Sequence, residues 1–205
     1  MRTKLSREYQ VQRNRDLVLD AARRVFLARG YVSATVDAIA EEAGFSKGVV
    51  YSQFESKADM FLALLDARIA ERQARNRQLE ASLDGRELAV AVPELAMALQ
   101  RTEPEWTQLV LEFRVHAARV PELSRRYADL HERTISGLAS VFARLHERAG
   151  TTPRYPVRAL AELVLSVDIG SFLEQLADPA AVDLPVPDVV SDLILQTAPP
   201  AAAER

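Results

Sequence analysis

TVDAIAEEAGFSKGVVYSQFESK, residues 35–57, decides how the rest of the chain is organised. Thr35 is placed to cap a helix, its hydroxyl accepting an orphan backbone N–H, and Asp37 adds negative charge in the first turn. Val36, Ile39, Ala40 and Ala43 then recur at helical spacing, with Asp37, Glu41 and Glu42 pointing away, and the small Ala40 lets a second helix approach closely. Gly44 follows at once, where a helix ends most easily in a left-handed residue. Ser46 is placed to cap a second helix from Lys47 to about Gln53. Val50 and Phe54 are its buried anchors, and Lys47, Gly48, Val49, Tyr51 and Ser52 stay near its exposed start. A helix this short does not stand alone in water and needs tertiary support.

Ser56-Lys57-Ala58-Asp59 matches a capping box and opens a third helix. Lys57 then occupies the first helical position, where a cation opposes the helix dipole by a few tenths to about 1 kcal/mol, and Lys47 repeats the misplacement one helix earlier. A bound phosphate would explain both, because backbone N–H groups and a lysine at a helix start form an anion site. The alternative is that each lysine is simply solvated. Upstream, Leu17, Val18, Ala21, Ala22, Val25 and Phe26 form two adjacent stripes closed by Gly30, a third wall behind the pair. The layout is a helix-turn-helix, in which the N-terminal end of the second helix touches base edges.

The run from Phe26 to Leu65 resembles the N-terminal domain of TetR-type transcriptional regulators. The resemblance rests on Gly30, Thr35, Ile39-Ala40, Ala43-Gly44, Ser46-Lys47-Gly48, Tyr51, Phe54 and Ser56-Lys57. It implies that Thr35, Tyr51 and Lys57 contact phosphates and that Lys47, Gly48 and Val49 face the bases, with Ser46 beside them at the interface. Val49 departs from the small polar residue often found there, which favours contact with a thymine methyl over hydrogen-bonded readout.

Charge divides along the chain. The whole is mildly acidic at net −3, but residues 1–80 hold 14 Lys and Arg against 11 Asp and Glu (+3), and residues 81–205 hold 12 against 18 (−6). The opening segment to Arg15 carries Arg2, Lys4, Arg7, Arg13 and Arg15 against Glu8 alone. It reads as a basic arm for a phosphate backbone or minor groove, or else as a solubilising tail. No stretch approaches the ~18 apolar residues that span a bilayer, so no membrane is expected as a partner. The N-terminus lacks the apolar core of a signal peptide, and zero cysteines exclude disulfides and thiolate metal sites. Cytoplasmic residence is the expectation.

Proline and glycine punctuate what is otherwise helix, with no period-2 run long enough for a strand. The predicted fold is all-α. Residues 1–55 form the basic arm and helix-turn-helix DNA-binding domain; residues 56–205 form a larger helical bundle for ligand binding and dimerisation. The helix from Ser56 to about Leu83 links the two. Glu87–Arg101 is helical but should bend or split at Pro93. Pro104–Val120 places Trp106, Leu109 or Val110, Phe113 and Ala117 on one face. Pro121 starts a long helix burying Leu123, Tyr127, Leu130, Leu138, Phe142 and Leu145 and ending at Gly150. The next helix, from Leu160 to Leu176, is apolar all round, so one side should face the core and the other a second copy of the chain. With the last helix it makes half of a four-helix interface including Leu163, Val167, Leu173, Val190 and Ile194. Burial inside one large monomer is the alternative. Ala198–Ala203 is a Pro/Ala-rich end.

Catalysis and metal binding find no constellation. His116, His131 and His146 are spaced by fifteen residues, roughly 22 Å along a helix, and there is no HExxH, Walker, GxSxG or GxGxxG motif. No catalytic residue, metal or cofactor is assigned. Asp168 stands in an apolar run and needs a partner, through a neighbouring helix or a ligand. Trp106, Phe113, His116, Phe142 and Phe172 join it as candidate lining of a cavity for a small apolar or amphipathic effector, although such residues more often form core. The expectation is a homodimeric repressor, released from a palindromic double-stranded operator by that effector. The rivals are a helical small-molecule binder or adaptor without DNA activity and an unrecognised all-α enzyme.

Overall fold

The computed structural model describes residues 7–178 and 186–197. Arg2 and Lys4 of the proposed arm, and Ala198–Ala203, lie outside them. The described residues form nine helices: α1 (Arg7–Ser33), α2 (Val36–Ala43), α3 (Lys47–Tyr51), α4 (Lys57–Ser82), α5 (Gly85–Thr102), α6 (Pro104–Ala117), α7 (Pro121–Ala149), α8 (Val157–Ala177) and α9 (Val186–Leu195). Among these residues there is no strand, only a bridge between Pro153 and Thr197. The fold is all-α, as the punctuation predicted. Because α1 starts at Arg7, Arg7, Arg13 and Arg15 belong to a helix and not to an extended arm.

The chain folds as two compact units, Met1–Arg68 with Glu105–Leu130, and Ile69–Pro104 with His131–Arg205. This division differs from a boundary at 55/56, because the start of α4, α6 and the first part of α7 pack with the helix-turn-helix. In the first unit Val18, Ala21, Ala22, Val25 and Phe26 of α1 are buried as expected, but Leu17 is exposed. Tyr31 stands at the centre, its ring centroid 5.8 Å from Phe26, 5.4 Å from Phe61 and 4.8 Å from Phe113. Phe61 stacks on Phe113 at 4.2 Å and on Trp106 at 6.1 Å. Stacked and edge-to-face pairs of this kind add about 0.5–1.5 kcal/mol each beyond the area they bury. Burial pushes the Tyr31 phenol up to about 12, with the Asp59 charge adding to the rise and Arg126 opposing it.

In the second unit α5, α8 and α9 pack together around Leu88, Val92, Phe142, Leu145, Leu160, Val164, Val190 and Ile194. The core of α7 also takes Ile135, Val141 and His146, whereas Leu138 is only partly buried. Val190 and Ile194, expected at a dimer interface, are buried in the core of the chain itself: they lie one turn apart on α9, and Val189 takes the outward position. His146 bridges α7 to the end of α9. Its Nε2 lies 2.9 Å from the Ile194 carbonyl, which only accepts, so Nε2 carries the proton, and Nδ1 lies 2.9 Å from the Thr151 hydroxyl.

Pro93 neither splits nor ends its helix; α5 runs through it. A proline there leaves the carbonyl four residues earlier, that of Ala89, without its intrahelical donor. Ser191 of α9 supplies one, its buried hydroxyl lying 3.0 Å from the Ala89 oxygen and sharing its proton with Pro187 O at 2.6 Å. Ser191→Ala is therefore expected to cost about 1–3 kcal/mol, the penalty for a buried unmatched carbonyl. In a Pro93→Ala background, where the restored backbone N–H at that position meets the Ala89 carbonyl, the same change should cost clearly less. Urea denaturation of the four proteins measures the difference; equal costs in both backgrounds would refute the compensation.

Candidate nucleic-acid interface

The turn at the heart of the site forms for the reasons its residues suggest. The Thr35 hydroxyl accepts from Ala38 N–H at 3.2 Å, leaving its own proton free to donate outward. Gly44 adopts φ 69°, ψ 26°, and the N–H groups of Gly44 and Phe45 donate to the carbonyls of Glu41 (3.1 Å) and Ala40 (2.9 Å), closing α2. Ser46 stands at the cap of α3, but its hydroxyl makes no capping bond; the carbonyl alone accepts from Val49 and Val50 N–H. The helix itself is one turn, ending at Tyr51 and not at Gln53. Val50 is 0% exposed and Phe54 4%, while Tyr51 is 52% exposed. Ser46, Lys47 and Gly48 share the open side with Tyr51, and Val49 is half-buried. The short helix is thus pinned from beneath by two apolar anchors and presents its first turn outward.

Arg15 holds the far end of this element. Its Nη1 donates to the Gln53 carbonyl at 2.8 Å, and its guanidinium lies 4.1 Å from the Phe54 ring centroid. Read as part of a basic arm, Arg15 is instead a cap for the turn after α3. Nothing local in the sequence links residues 38 positions apart.

The two misplaced lysines find partners within the chain. Lys47 forms an ion pair with Asp37, in the first turn of α2. Both are exposed, and exposed pairs are worth about 0–1 kcal/mol, so the contact is easily exchanged for another anion. Lys57 is different: Nζ donates to the carbonyls of Tyr31 (2.7 Å), Val32 (2.9 Å) and Ala34 (2.8 Å), which uses all three protons. It also lies 4.6 Å from the Tyr31 ring centroid. The charge that offends the start of α4 satisfies carbonyls at the C-terminal end of α1 and just beyond it, where a cation is favoured. Burial lowers the Lys57 pKa and the Glu112 carboxylate pulls it back.

Glu112 of α6 completes this joint. Its carboxylate accepts from Tyr31 N–H at 3.0 Å and Val32 N–H at 2.9 Å, beside Gly30, whose φ of 74° and ψ of 167° break α1. The capping box at Ser56 forms as predicted, Asp59 N–H donating to Ser56 Oγ at 3.2 Å and Ser56 Oγ to Asp59 Oδ2 at 2.7 Å. Arg126 of α7 adds an ion pair to Asp59 at 2.6 Å. Burial works against the Asp59 charge, but the bonds from Ser56 and Arg126 outweigh it and hold the carboxyl below its usual range. Residues of α4, α6 and α7 therefore fix the corner between α1 and α2, on which the orientation of α3 depends.

Two family models match the chain: residues 18–64 fit "Bacterial regulatory proteins, tetR family", and residues 85–194 fit "BetI-type transcriptional repressor, C-terminal". The chain belongs to the TetR family. As a TetR-family transcriptional regulator it is a DNA-binding protein and not an enzyme. It is similar to the transcriptional repressor AcnR of Corynebacterium efficiens, 27% identical over 83% of this chain and 85% of that one. AcnR of Corynebacterium diphtheriae is 30% identical over 68% and 67%. The activator FasR of Mycolicibacterium smegmatis is 34% identical, but over only 48% of this chain and 45% of its own. Among solved structures, FadR of Bacillus subtilis, in complex with stearoyl-CoA, shares the fold with a TM-score of 0.72 at 18% identity, over 88% of this chain and 97% of that one. Salmonella enterica GusR does so with 0.68 at 20%, over 94% and 97%.

The six residues expected around an effector belong three to each unit. Trp106, Phe113 and His116 belong to the first unit, where Trp106 and Phe113 are buried in the aromatic cluster and His116 packs 5.2 Å from Tyr31. Phe142, Asp168 and Phe172 belong to the second. Phe142 is core; Asp168 and Phe172 lie one turn apart on α8. Burial pushes Asp168 up to about 6, against the pull of Arg72. No helix among the described residues is long and apolar enough to cross a membrane.

Proposed function

We propose that this regulator is a homodimeric repressor that places α3 in the major groove and is released from its operator by a small amphipathic effector. The observation that carries the proposal is the one-turn α3, anchored by Val50 and Phe54 and presenting Ser46, Lys47, Gly48 and Tyr51 outward. In this reading Thr35 and Tyr51 donate to phosphates, Lys47 leaves Asp37 for the DNA, and Val49 meets a thymine methyl. Lys57 positions the reader and does not touch DNA, because its protons are already used. Anisotropy with labelled genomic fragments tests this: binding should be saturable and salt-sensitive. In Lys47→Ala the slope of log affinity against log salt should fall by about one unit. An unchanged slope would remove Lys47 from the interface, and absence of saturable binding would sink the regulator mechanism itself.

Dimerisation is proposed through α8 and α9, where Leu163 (45% exposed), Leu173 (49%) and Val189 (60%) remain uncovered, with Val167 half-buried on α8. A two-fold copy would cover them. The effector proposal retains Asp168 and Phe172 and takes its chemical type from the stearoyl-CoA bound by the Bacillus subtilis neighbour. An effector that favours the DNA-incompetent state would bias α4, a continuous helix from Lys57 to Ser82.

A further inference from the structure

A helix of one turn, as α3 is, takes its orientation from its surroundings and not from its own hydrogen bonds. Val50 and Phe54 hold it down from beneath. Apolar contact is non-directional, so two such anchors set the depth of the turn and leave its rotation about them weakly fixed. A directional bond closes that freedom, and α1 provides one. Arg15 Nη1 donates to the Gln53 carbonyl at 2.8 Å, two residues past the end of α3, and the same guanidinium stands 4.1 Å from the centroid of the Phe54 ring.

The two contacts act in different ways on neighbouring residues. The bond to Gln53 ties the backbone where the chain leaves the reader, at a helix end where positive charge is favoured. The contact with Phe54 holds the ring that anchors α3, at a distance where cation–π attraction operates. Together they set the end of α3 against α1, whose Val18, Ala21, Ala22 and Val25 are buried in the core of the same unit. At the opposite end of α3, Lys47 is paired with the exposed Asp37, a contact that exchanges readily. The firm end of the reader is the one that Arg15 holds.

We propose that Arg15 is a positioning residue for sequence readout: it fixes the rotation of α3, and so decides how well the operator is told from other DNA, without itself touching the duplex. The inference rests on the reading of α3 as the element that enters the major groove. Non-specific binding draws on phosphate charge and tolerates a loosely held reader. Contacts to base edges require particular hydrogen-bond distances and angles, and a reader free to turn loses them first.

Arg15→Met, which keeps much of the side chain's length and removes its charge and donors, tests this by anisotropy on two duplexes: the labelled genomic fragment that the parent protein binds most tightly, and the same fragment scrambled. Affinity for the selected fragment should fall about tenfold, the scale of one mismatched base pair. Affinity for the scrambled duplex, and the salt slope on both, should stay as in the parent. In the free protein, hydrogen–deuterium exchange should quicken over residues 47–54 and stay unchanged in α2. A slope reduced by about one unit on both duplexes would make Arg15 a phosphate contact instead. Unchanged affinity for the selected fragment would leave it a purely structural cap. An equal loss on both duplexes at unchanged slope, or unchanged exchange over 47–54, would likewise overturn the assignment. A parent protein that does not distinguish the two duplexes would overturn the reading of α3 itself, a failure seen before any substitution is made.

Discussion

Gly30→Ala is expected to lower stability by about 3–5 kcal/mol, the sum of two costs. The first is the backbone: φ 74° with ψ 167° lies in a region that essentially only glycine occupies, worth ~1–3 kcal/mol to any other residue. The second is Glu112. A Cβ at residue 30 would sit 2.8 Å from Glu112 Oε2 and 3.3 Å from Oε1, so the carboxylate would have to leave the Tyr31 and Val32 N–H groups it now holds. Thermal or urea unfolding measures the total. In a Glu112→Ala background the clash is gone, and Gly30→Ala should cost only the backbone part. If the cost is the same in both backgrounds, Glu112 does not fix this corner. DNA affinity should fall with both single changes, because the corner between α1 and α2 sets where α3 points.

Lys57→Met should cost about 2–4 kcal/mol while leaving the salt slope of DNA binding unchanged. Charge-assisted hydrogen bonds contribute roughly 1.5–3 kcal/mol each, but the three here do not add in full: the Val32 contact is exposed, and that carbonyl can return to water. Lys57→Arg should rescue little, since a planar guanidinium cannot converge on three carbonyls as an ammonium does. Urea midpoints give the stability, and anisotropy at several salt concentrations gives the slope. A slope reduced by one unit with stability intact would return Lys57 to the phosphate contacts that its position at the helix start first suggested.

These two residues show where a sequence stops informing. The capping box at Ser56, the left-handed Gly44 and the anchors Val50 and Phe54 were all legible, because each depends on neighbours within four residues and on a helical period. The extra charge of Lys57 was legible as well, but its cause was not. The carbonyls that accept from it belong to residues 23 to 26 positions earlier, and Glu112 reaches its partners across about 80. A dipole argument sees that a cation is out of place on one helix and cannot see that it closes the end of another.

The same distinction holds in the second unit. An apolar α9 was evident from composition, yet which of Val189 and Val190 faces inward is decided by the packing of α9 on α5. Pro93 signalled a broken helix, and α5 stays whole because Ser191 meets the orphaned Ala89 carbonyl from α9, a bond across 102 residues. Sequence by itself determined the all-α class, the helix-turn-helix and the family, since periodicity, caps and glycine turns are local and short-range physics specifies them. Tertiary structure alone decided which charged groups serve the fold and which remain open to a ligand, because hydrogen bonds between distant elements form only where packing brings donor and acceptor within about 3 Å.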